Sequence, residues 1–386
     1  MQRYTFFDKT CKKIINNDCF FLISCFFAVF IHLKFVNLHT IMTEKRKITF
    51  ILNPKSGTTS KAEVPALIEQ ILDKDLFSTE ICFTEYRGHA AEIAKAKAKE
   101  GVDIVVAVGG DGTVNEVARS LVHTDTALAI VPCGSGNGLA RHLCLPMDIK
   151  KAITIINSCK IESFDYGVIN GMPFFCTCGM GFDAFISLKF AEAGKRGPIT
   201  YVETVLKEGL KYKPETYEVT DDTGARKYKA YLIACANASQ YGNNAYIAPG
   251  ATMKDGEMDV IVMEPFTALD APQIAADLFM KTLGNNSKIK TFRTKNLHIT
   301  RKQPGAIHYD GDPIMTDAEI DVHMEPQGIK ILVNPNASED AGQPNPVLNA
   351  FSDFFNNINN VREDIERQGH RIQVINKVLL RKLTKL

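Results

Sequence analysis

Two consecutive domains are predicted, an α/β domain with a parallel sheet and then an antiparallel β domain. Three observations predict them. Between residues 47 and 165, apolar strand-like runs alternate with segments of helical periodicity, the pattern of βαβ units. From 166 to 333 short alternating segments dominate. Within the first domain, three apolar runs end in polar or glycine-rich turns. Strands that end side by side at one edge of a parallel sheet leave a crevice for ligand there.

The elements follow in order. Ile48-Thr49-Phe50-Ile51-Leu52 is apolar and stops at Asn53-Pro54, so a strand is predicted over 48–52. Further strands are predicted at 77–83, 103–108 and 128–131, and helices at 60–73, 88–99, 113–122 and 148–158. The helix at 113–122 carries Val114, Val117, Ala118, Leu121 and Val122 on one face. In the second domain strands are predicted at 162–169, 173–180, 215–220, 227–238, 258–264, 290–292, 295–301, 306–310 and 319–324. Helices are predicted at 183–193, 199–209 and 267–282. The run Ile329-Lys330-Ile331-Leu332-Val333 reads as a strand that closes the second domain or returns to the first.

The most informative segment is Val105-Val106-Ala107-Val108-Gly109-Gly110-Asp111-Gly112-Thr113. A β run ends in glycines and a helix starts at once. Glycines let backbone N–H groups approach a phosphate, and a helix N-terminus favours negative charge. Asp111 in such a turn meets a phosphate only through a cation, which points to Mg²⁺-nucleotide chemistry. Taken alone, Gly-Gly-Asp-Gly has a plainer alternative, a tight β-to-α turn with an Asx cap. The strand endings Asn53-Pro54-Lys55-Ser56-Gly57 and Pro132-Cys133-Gly134-Ser135-Gly136-Asn137 weigh against that plain turn.

These segments, with Thr84-Glu85-x-x-Gly88-His89-Ala90, Asn115-Glu116, Asp255-Gly256-x-Met258-Asp259 and Asp310-Gly311-Asp312, resemble the diacylglycerol kinase catalytic-domain family of lipid kinases. That family includes bacterial lipid kinases and sphingosine kinases. The resemblance implies a first domain with an NAD-kinase/phosphofructokinase-like parallel sheet and a C-terminal antiparallel β-sandwich. It implies ATP and Mg²⁺ as cofactors. Asn53, Thr84, Gly109, Gly110, Asp111, Gly112, Thr113, Val114, Asn115, Gly134, Ser135 and Asn137 would then contact ATP, with Asp111 orienting the waters of Mg²⁺. For Thr84 and Ser135 alone, turn capping explains the residue as well.

The family's Asp-Gly-Glu loop matches Asp310-Gly311-Asp312, so the resemblance implies that Asp312 is the general base. Its side chain is one methylene shorter than the usual Glu, a loss of about 1.5 Å of reach. From the residues alone this is an Asp-Gly hairpin turn. A structural Mg²⁺ in bacterial relatives carries over to the Asp255 side chain with the carbonyls of Thr252 and Glu257, where a plain β-turn is the alternative.

The implied reaction is transfer of the γ-phosphoryl of ATP to a lipid hydroxyl at a membrane surface, on diacylglycerol or a sphingoid base. Gly138 stands where bacterial diacylglycerol kinases often have Asp, and Gly134-Ser135-Gly136-Asn137 looks like sphingosine kinases. Gly179-x-Gly181-Phe182-Asp183-Ala184 and Gly197-Pro198-x-x-Tyr201 look instead like bacterial members, and Asp183 either orients a head group or caps a surface turn. The rivals are an NAD kinase and a non-catalytic lipid or nucleotide sensor, the latter motivated by the short Asp312.

Composition bounds the partners. With 45 Lys and Arg against 44 Asp and Glu, the net charge of +1 gives no attraction for nucleic acid. Ten scattered cysteines form no metal or disulfide pattern and suit reduced thiols in the cytoplasm, with Cys176-x-Cys178 in the core.

Two ends stand apart. Residues 1–41 carry the apolar run Phe20–Ile31, shorter than the roughly 20 residues of a membrane span. We expect Met42 to be the true start, with a membrane anchor as the alternative. After a linker at 334–346, a helix at about 347–386, broken near Gly369, sets Ile372, Ile375, Leu379, Leu383 and Leu386 at helical spacing beside Arg371, Lys377, Arg381, Lys382 and Lys385. Such a helix lies on an anionic membrane, making the protein peripherally membrane-associated, or docks on its own domain or in a homodimer.

Overall fold

The structure is a computed structural model that describes residues 45–54, 62–192, 212–267 and 270–337. Residues 1–41, Ser56 and Gly57, the helix expected at 199–209 with Gly197, Pro198 and Tyr201, and the helix expected at 347–386 lie outside the described residues. Among the described residues, 45–46 and 74–78 form a small unit, in which the Arg46 amide donates to the Leu76 carbonyl at 2.9 Å, and the rest form a larger one.

In the first domain β1 (Arg46–Leu52), β3 (Ile104–Gly109) and β4 (Ala127–Pro132) run parallel, with β2 (Phe77–Phe83) next to β1 at the sheet edge. Register runs Leu52 to Val108 and Val108 to Val131, so the three glycine-bearing or polar turns leave the sheet side by side. Every residue of β3 and β4 is buried. That explains their unbroken apolar composition, since a parallel strand is covered on both faces.

The helices α1 (Val64–Ile71), α2 (His89–Lys99), α3 (Asp111–Leu121), α4 (Gly138–His142) and α5 (Ile149–Ile156) connect these strands. Alanines on one face of α2, Ala90 and Ala94, let it approach α3, where Val114, Val117, Ala118 and Leu121 are buried. Asp148 caps α5 by accepting from the Lys151 amide at 2.9 Å.

The second domain comprises β5 (Ile161–Ile169), β6 (Met172–Phe174), β7 (Thr177–Gly181), α6 (Phe182–Glu192), β8 (Glu215–Asp221), β9 (Gly224–Ala230), β10 (Leu232–Ala236), β11 (Met258–Met263), α7 (Ala271–Met280), β12 (Ile289–Thr294), β13 (Asn296–Arg301), β14 (Gly305–Tyr309), β15 (Asp312–Thr316) and β16 (Glu319–Leu332). One sheet has the order β12-β11-β10-β7-β14-β15. The facing layer, β8, β9, β13, β16, β5 and β6, is continuous with the parallel sheet through β16. Phe174, Tyr217, Ile299 and Ile320 from this layer pack against Met180, Ile233, Val260 and Ile307 from the other to form the sandwich core. The far face of the second sheet is covered by Phe182 and Ile186 of α6 and Ile274 of α7.

Strand β16 joins the domains. Its first half pairs antiparallel with β13 and β5, and Ile331 near its end pairs parallel with Leu128 of β4. The expected segments 319–324 and 329–333 are therefore one strand, interrupted by a bulge between Glu325 and Ile329. Gln327 takes a left-handed backbone there, and its amide donates to Asp165 at 2.8 Å. Gly328 faces the Tyr166 ring so closely that a Cβ would sit 2.3 Å from it.

Three strand boundaries differ from expectation. The single strand expected at 227–238 is two, because at Tyr231 the chain passes from β9 in one layer to β10 in the other. The strand expected at 173–180 is also two, broken at Phe175 and Cys176, whose amides turn to the Asp310 carboxylate. Strand β15 is additional. The seven described cysteines are free thiols, and Cys176 and Cys178 are buried in the core as expected, with burial pushing both thiols up. Among the described residues no helix is long and apolar enough to cross a membrane.

Candidate active site

Two glycine loops meet at the carboxyl ends of β3 and β4. A Cβ on Gly134 would lie 2.6 Å from the Gly110 Cα, so the loops touch backbone to backbone. Asp111 locks them. Its Oδ2 accepts from the Asn137 amide at 2.9 Å and its Oδ1 from the Gly138 amide at 2.7 Å. A Cβ on Gly136 would meet the same carboxylate at 2.7 Å. Asn137, in a left-handed backbone, folds its own loop by accepting from the Gly134 amide at 3.0 Å and donating to the Gly134 carbonyl at 2.7 Å. Asp111 thus acts here as the cap of the second loop. Ser135 is exposed between the two.

The N-terminus of α3 carries no side-chain cap. Its first-turn amides, Asp111 to Thr113, point away from the helix as the unpaired donors that an anion can meet. Asn53 donates to Thr113 Oγ1 at 3.2 Å, and the Thr84 amide donates to the Leu52 carbonyl at 2.8 Å. So Asn53, Thr84, Gly109, Gly110, Gly112, Thr113, Val114 and Asn115 gather round one helix start, with Thr113, Val114 and Asn115 buried.

The second domain reaches this site through the β14–β15 hairpin. Asp310 takes a left-handed backbone at its turn and Gly311 follows with φ +83. The Asp310 carboxylate accepts from the amides of Phe175, Cys176 and Thr177 at 2.9, 2.7 and 3.1 Å. Burial pushes its carboxyl above the usual range, against the pull of Arg119 and those three amides. Its carbonyl accepts from Asn115 Nδ2 at 3.3 Å, which fixes the hairpin against the first turn of α3.

Asp312 opens β15 and lies between two guanidiniums. Arg119 Nη1 donates to its Oδ2 at 2.9 Å, and Arg87 Nη2 donates to its Oδ1 at 3.1 Å. Arg119 is anchored besides. It donates to the carbonyls of Pro173 and Tyr309, each at 3.2 Å, and its guanidinium lies 4.4 Å from the centre of the Tyr309 ring. Behind the turn, buried His308 Nε2 is 3.0 Å from Asp183 Oδ2, while its Nδ1 accepts from the Gly311 amide at 3.4 Å. Tyr241 also donates to Asp183, at 3.3 Å. Asp183 therefore braces the hairpin from inside.

Arg119, Arg87, His308 and Asp310 were not singled out as site residues from sequence. Arg119 left a weak local signal: it lies four residues after Asn115, so the two side chains share one flank of α3 beside its apolar face.

Asp255, Thr252 and Glu257 lie elsewhere, ahead of β11. Asp255 forms an ion pair with Arg293 and accepts from the Glu257 amide at 3.1 Å, and the Glu257 carboxylate is 3.5 Å from the same guanidinium. Among the described residues no three His, Cys, Asp or Glu side chains cluster as a metal site.

The model of the diacylglycerol kinase catalytic domain matches residues 47–169, and that of the YegS C-terminal NAD kinase beta sandwich-like domain matches 177–333. The chain belongs to the diacylglycerol kinase catalytic-domain family of lipid kinases. It is 27% identical over 276 residues to a diacylglycerol kinase of Mycobacterium tuberculosis H37Rv, covering 69% of this chain and 88% of that one. With a diacylglycerol kinase of Bacillus subtilis 168 the identity is 23% over 273 residues, 69% and 90% of the two chains. A crystal structure of a diacylglycerol kinase from Bacillus anthracis Sterne shares the fold, with TM-score 0.61, 21% identity, and coverage of 77% of this chain and 100% of that one. In this lipid kinase family member, both loops and the hairpin come from motifs on which the resemblance rested.

Proposed function

We propose that this lipid kinase uses ATP and Mg²⁺ to phosphorylate a hydroxyl of diacylglycerol or a sphingoid base. One observation carries the reading. The hairpin bearing Asp312 is tied by Asn115 and Arg119 to the helix whose start is uncapped, so a carboxylate and the free first-turn amides belong to one assembly. Phosphoryl transfer needs little else from the protein beyond positioning, charge and a proton acceptor.

The residues fit the nucleotide. The backbone contact of the two loops leaves no side chain over the first-turn amides of α3, which suit the phosphate oxygens. Asp111 fits Mg²⁺ as a partner for its waters, because each carboxylate oxygen keeps a lone pair beyond the amide it accepts. When bound, the metal offsets the phosphate charge. Asp312 takes the proton of the attacking hydroxyl as its oxygen bonds to the γ-phosphorus, and the bond from that phosphorus to the β–γ bridging oxygen breaks to release ADP.

A membrane-borne acceptor is supported by the rim of the site. Phe83, Tyr86 and Met315 are more than half exposed and Ile314 is 38% exposed, all within four residues of Arg87 or Asp312. Exposed apolar side chains in one neighbourhood mark an interaction surface. We therefore place the protein peripherally at a membrane.

The test is ATP-dependent phosphorylation in mixed micelles offering diacylglycerol, sphinganine, ceramide and NAD side by side, with Asp312→Ala as control. One labelled lipid, absent with the variant, supports the reading and names the acceptor. Transfer to NAD alone, or to nothing while ATP still binds, overturns it.

A further inference from the structure

We propose that Arg87 is a mobile ligand of the terminal phosphate of the nucleotide, and that its departure from Asp312 unmasks the base. This rests on the reading of the site as an ATP-using kinase. The two guanidiniums on Asp312 are unlike. Arg119 has its side chain 18% exposed and is held by two carbonyls and the Tyr309 ring as well. Arg87 has its side chain 74% exposed, and its ion pair is with Asp312 Oδ1. Holding it there gains little, because an exposed ion pair is worth at most about 1 kcal/mol.

The backbone beneath Arg87 is fixed, whereas the side chain is largely exposed and is held by Asp312. The Gly88 amide donates to Glu116 Oε1 at 3.0 Å, with Gly88 at φ +90, so the β2–α2 turn is pinned to α3, one residue beyond Asn115. The Arg87 side chain thus starts beside the second turn of the helix whose first turn offers its amides to phosphate. A guanidinium has two planar donors for phosphate oxygens, and a charge-assisted bond to phosphate is stronger than one to a partly exposed carboxylate already shared with another arginine.

The consequence is an order of events. In the structure both oxygens of Asp312 accept from guanidiniums. When ATP binds, Arg87 turns to the γ-phosphate and Oδ1 is left to accept the proton of the lipid hydroxyl. Arg119 stays and keeps Oδ2 oriented. ADP lacks the phosphate that Arg87 would meet, so it does not displace the arginine.

The test is calorimetric titration of the full chain with MgATP and with MgADP, for the wild type, Arg87→Ala and Arg87→Lys, beside lipid phosphorylation. Loss of one charge-assisted phosphate contact weakens binding about tenfold. We expect Arg87→Ala to raise the Kd for MgATP by that factor and leave the Kd for MgADP unchanged, with Arg87→Lys recovering most of the loss. A variant that keeps the wild-type ratio of ATP to ADP affinity overturns the role of Arg87 while the kinase reading stands. A wild type that binds MgATP no better than MgADP also overturns it. A wild type that binds neither nucleotide overturns the kinase reading itself and this inference with it.

Discussion

Arg119 and Asp312 are 193 residues apart in sequence and meet at 2.9 Å, a guanidinium of α3 on the carboxylate of the second domain's hairpin. The same guanidinium spans the Tyr309 and Pro173 carbonyls, so one side chain reaches two strands and the turn. Removing it leaves two carbonyls and a carboxylate oxygen without their donor. We expect Arg119→Ala to lower kcat about 10- to 100-fold and to destabilise the fold by about 2 kcal/mol, less than a fully buried pair because the site keeps some solvent. Arg119→Lys should fall between, since an ammonium supplies charge without the planar fork. Micellar kinetics with urea midpoints on the same preparations check both numbers.

Asp312 itself separates chemistry from architecture. Asp312→Asn keeps shape and one acceptor oxygen but cannot take a proton as a carboxylate does. Loss of a general base costs about 10²- to 10⁴-fold. The expected result is a fall of that size in kcat with the Kd for MgATP within about threefold of wild type, since rim charges contribute modestly. Asp312→Glu keeps the base but adds a methylene between two guanidiniums, and its kcat should lie between those of the wild type and the Asn variant. Equal kcat for wild type and Asn variant would remove Asp312 from the mechanism.

Much of this was legible in the sequence, for local reasons. Strands β3 and β4 read as strands because every side chain is buried, and the helix of Val114, Val117, Ala118 and Leu121 reads as one because its apolar face repeats. Strand β15 did not read as one. Pro313 sits in it, and proline is tolerated in a sheet at an edge, which is where β15 lies. The layer change at Tyr231 is set by pairing with distant strands and leaves no local mark. In the site, glycine loops carry their chemistry in adjacent residues. Arg87 and Arg119 acquire theirs from Asp312, more than 190 residues away in sequence, which no spacing encodes.

Gly134 gives the sharpest steric prediction. A methyl group there would lie 2.6 Å from the Gly110 Cα and 2.8 Å from Asn137 Oδ1. The first neighbour is backbone and cannot rotate away, so the two loops must part. Forced overpacking costs about 1–3 kcal/mol. For Gly134→Ala we expect binding of MgATP to weaken at least about tenfold, as 1.4 kcal/mol of that strain would do. Gly250→Ala is the control, because a Cβ there has open space and the residue lies outside the two loops. Calorimetry that finds the two variants alike would mean the loops are not held at this separation.

His142 predicts a pH dependence of stability that is separate from catalysis. Its Nδ1 accepts from the Ser239 amide at 3.2 Å, which requires the neutral ring, and burial pushes the ring down to about 4 from an ordinary value of 6.5. Between these values the unfolded chain binds a proton that the fold does not. Stability is therefore fully present above pH 6.5 and is lost as pH falls toward 4. From pH 7.5 to pH 5 the loss through this one group comes to about 2 kcal/mol, an upper value because partial solvent contact softens it. His142→Asn offers an amide oxygen to the Ser239 amide and has nothing to titrate. Its urea midpoints should fall less than those of the wild type between the two pH values, by an equivalent of more than about 1 kcal/mol. If both proteins lose the same stability over that interval, His142 is protonated in the fold and the Ser239 contact does not depend on its neutral form.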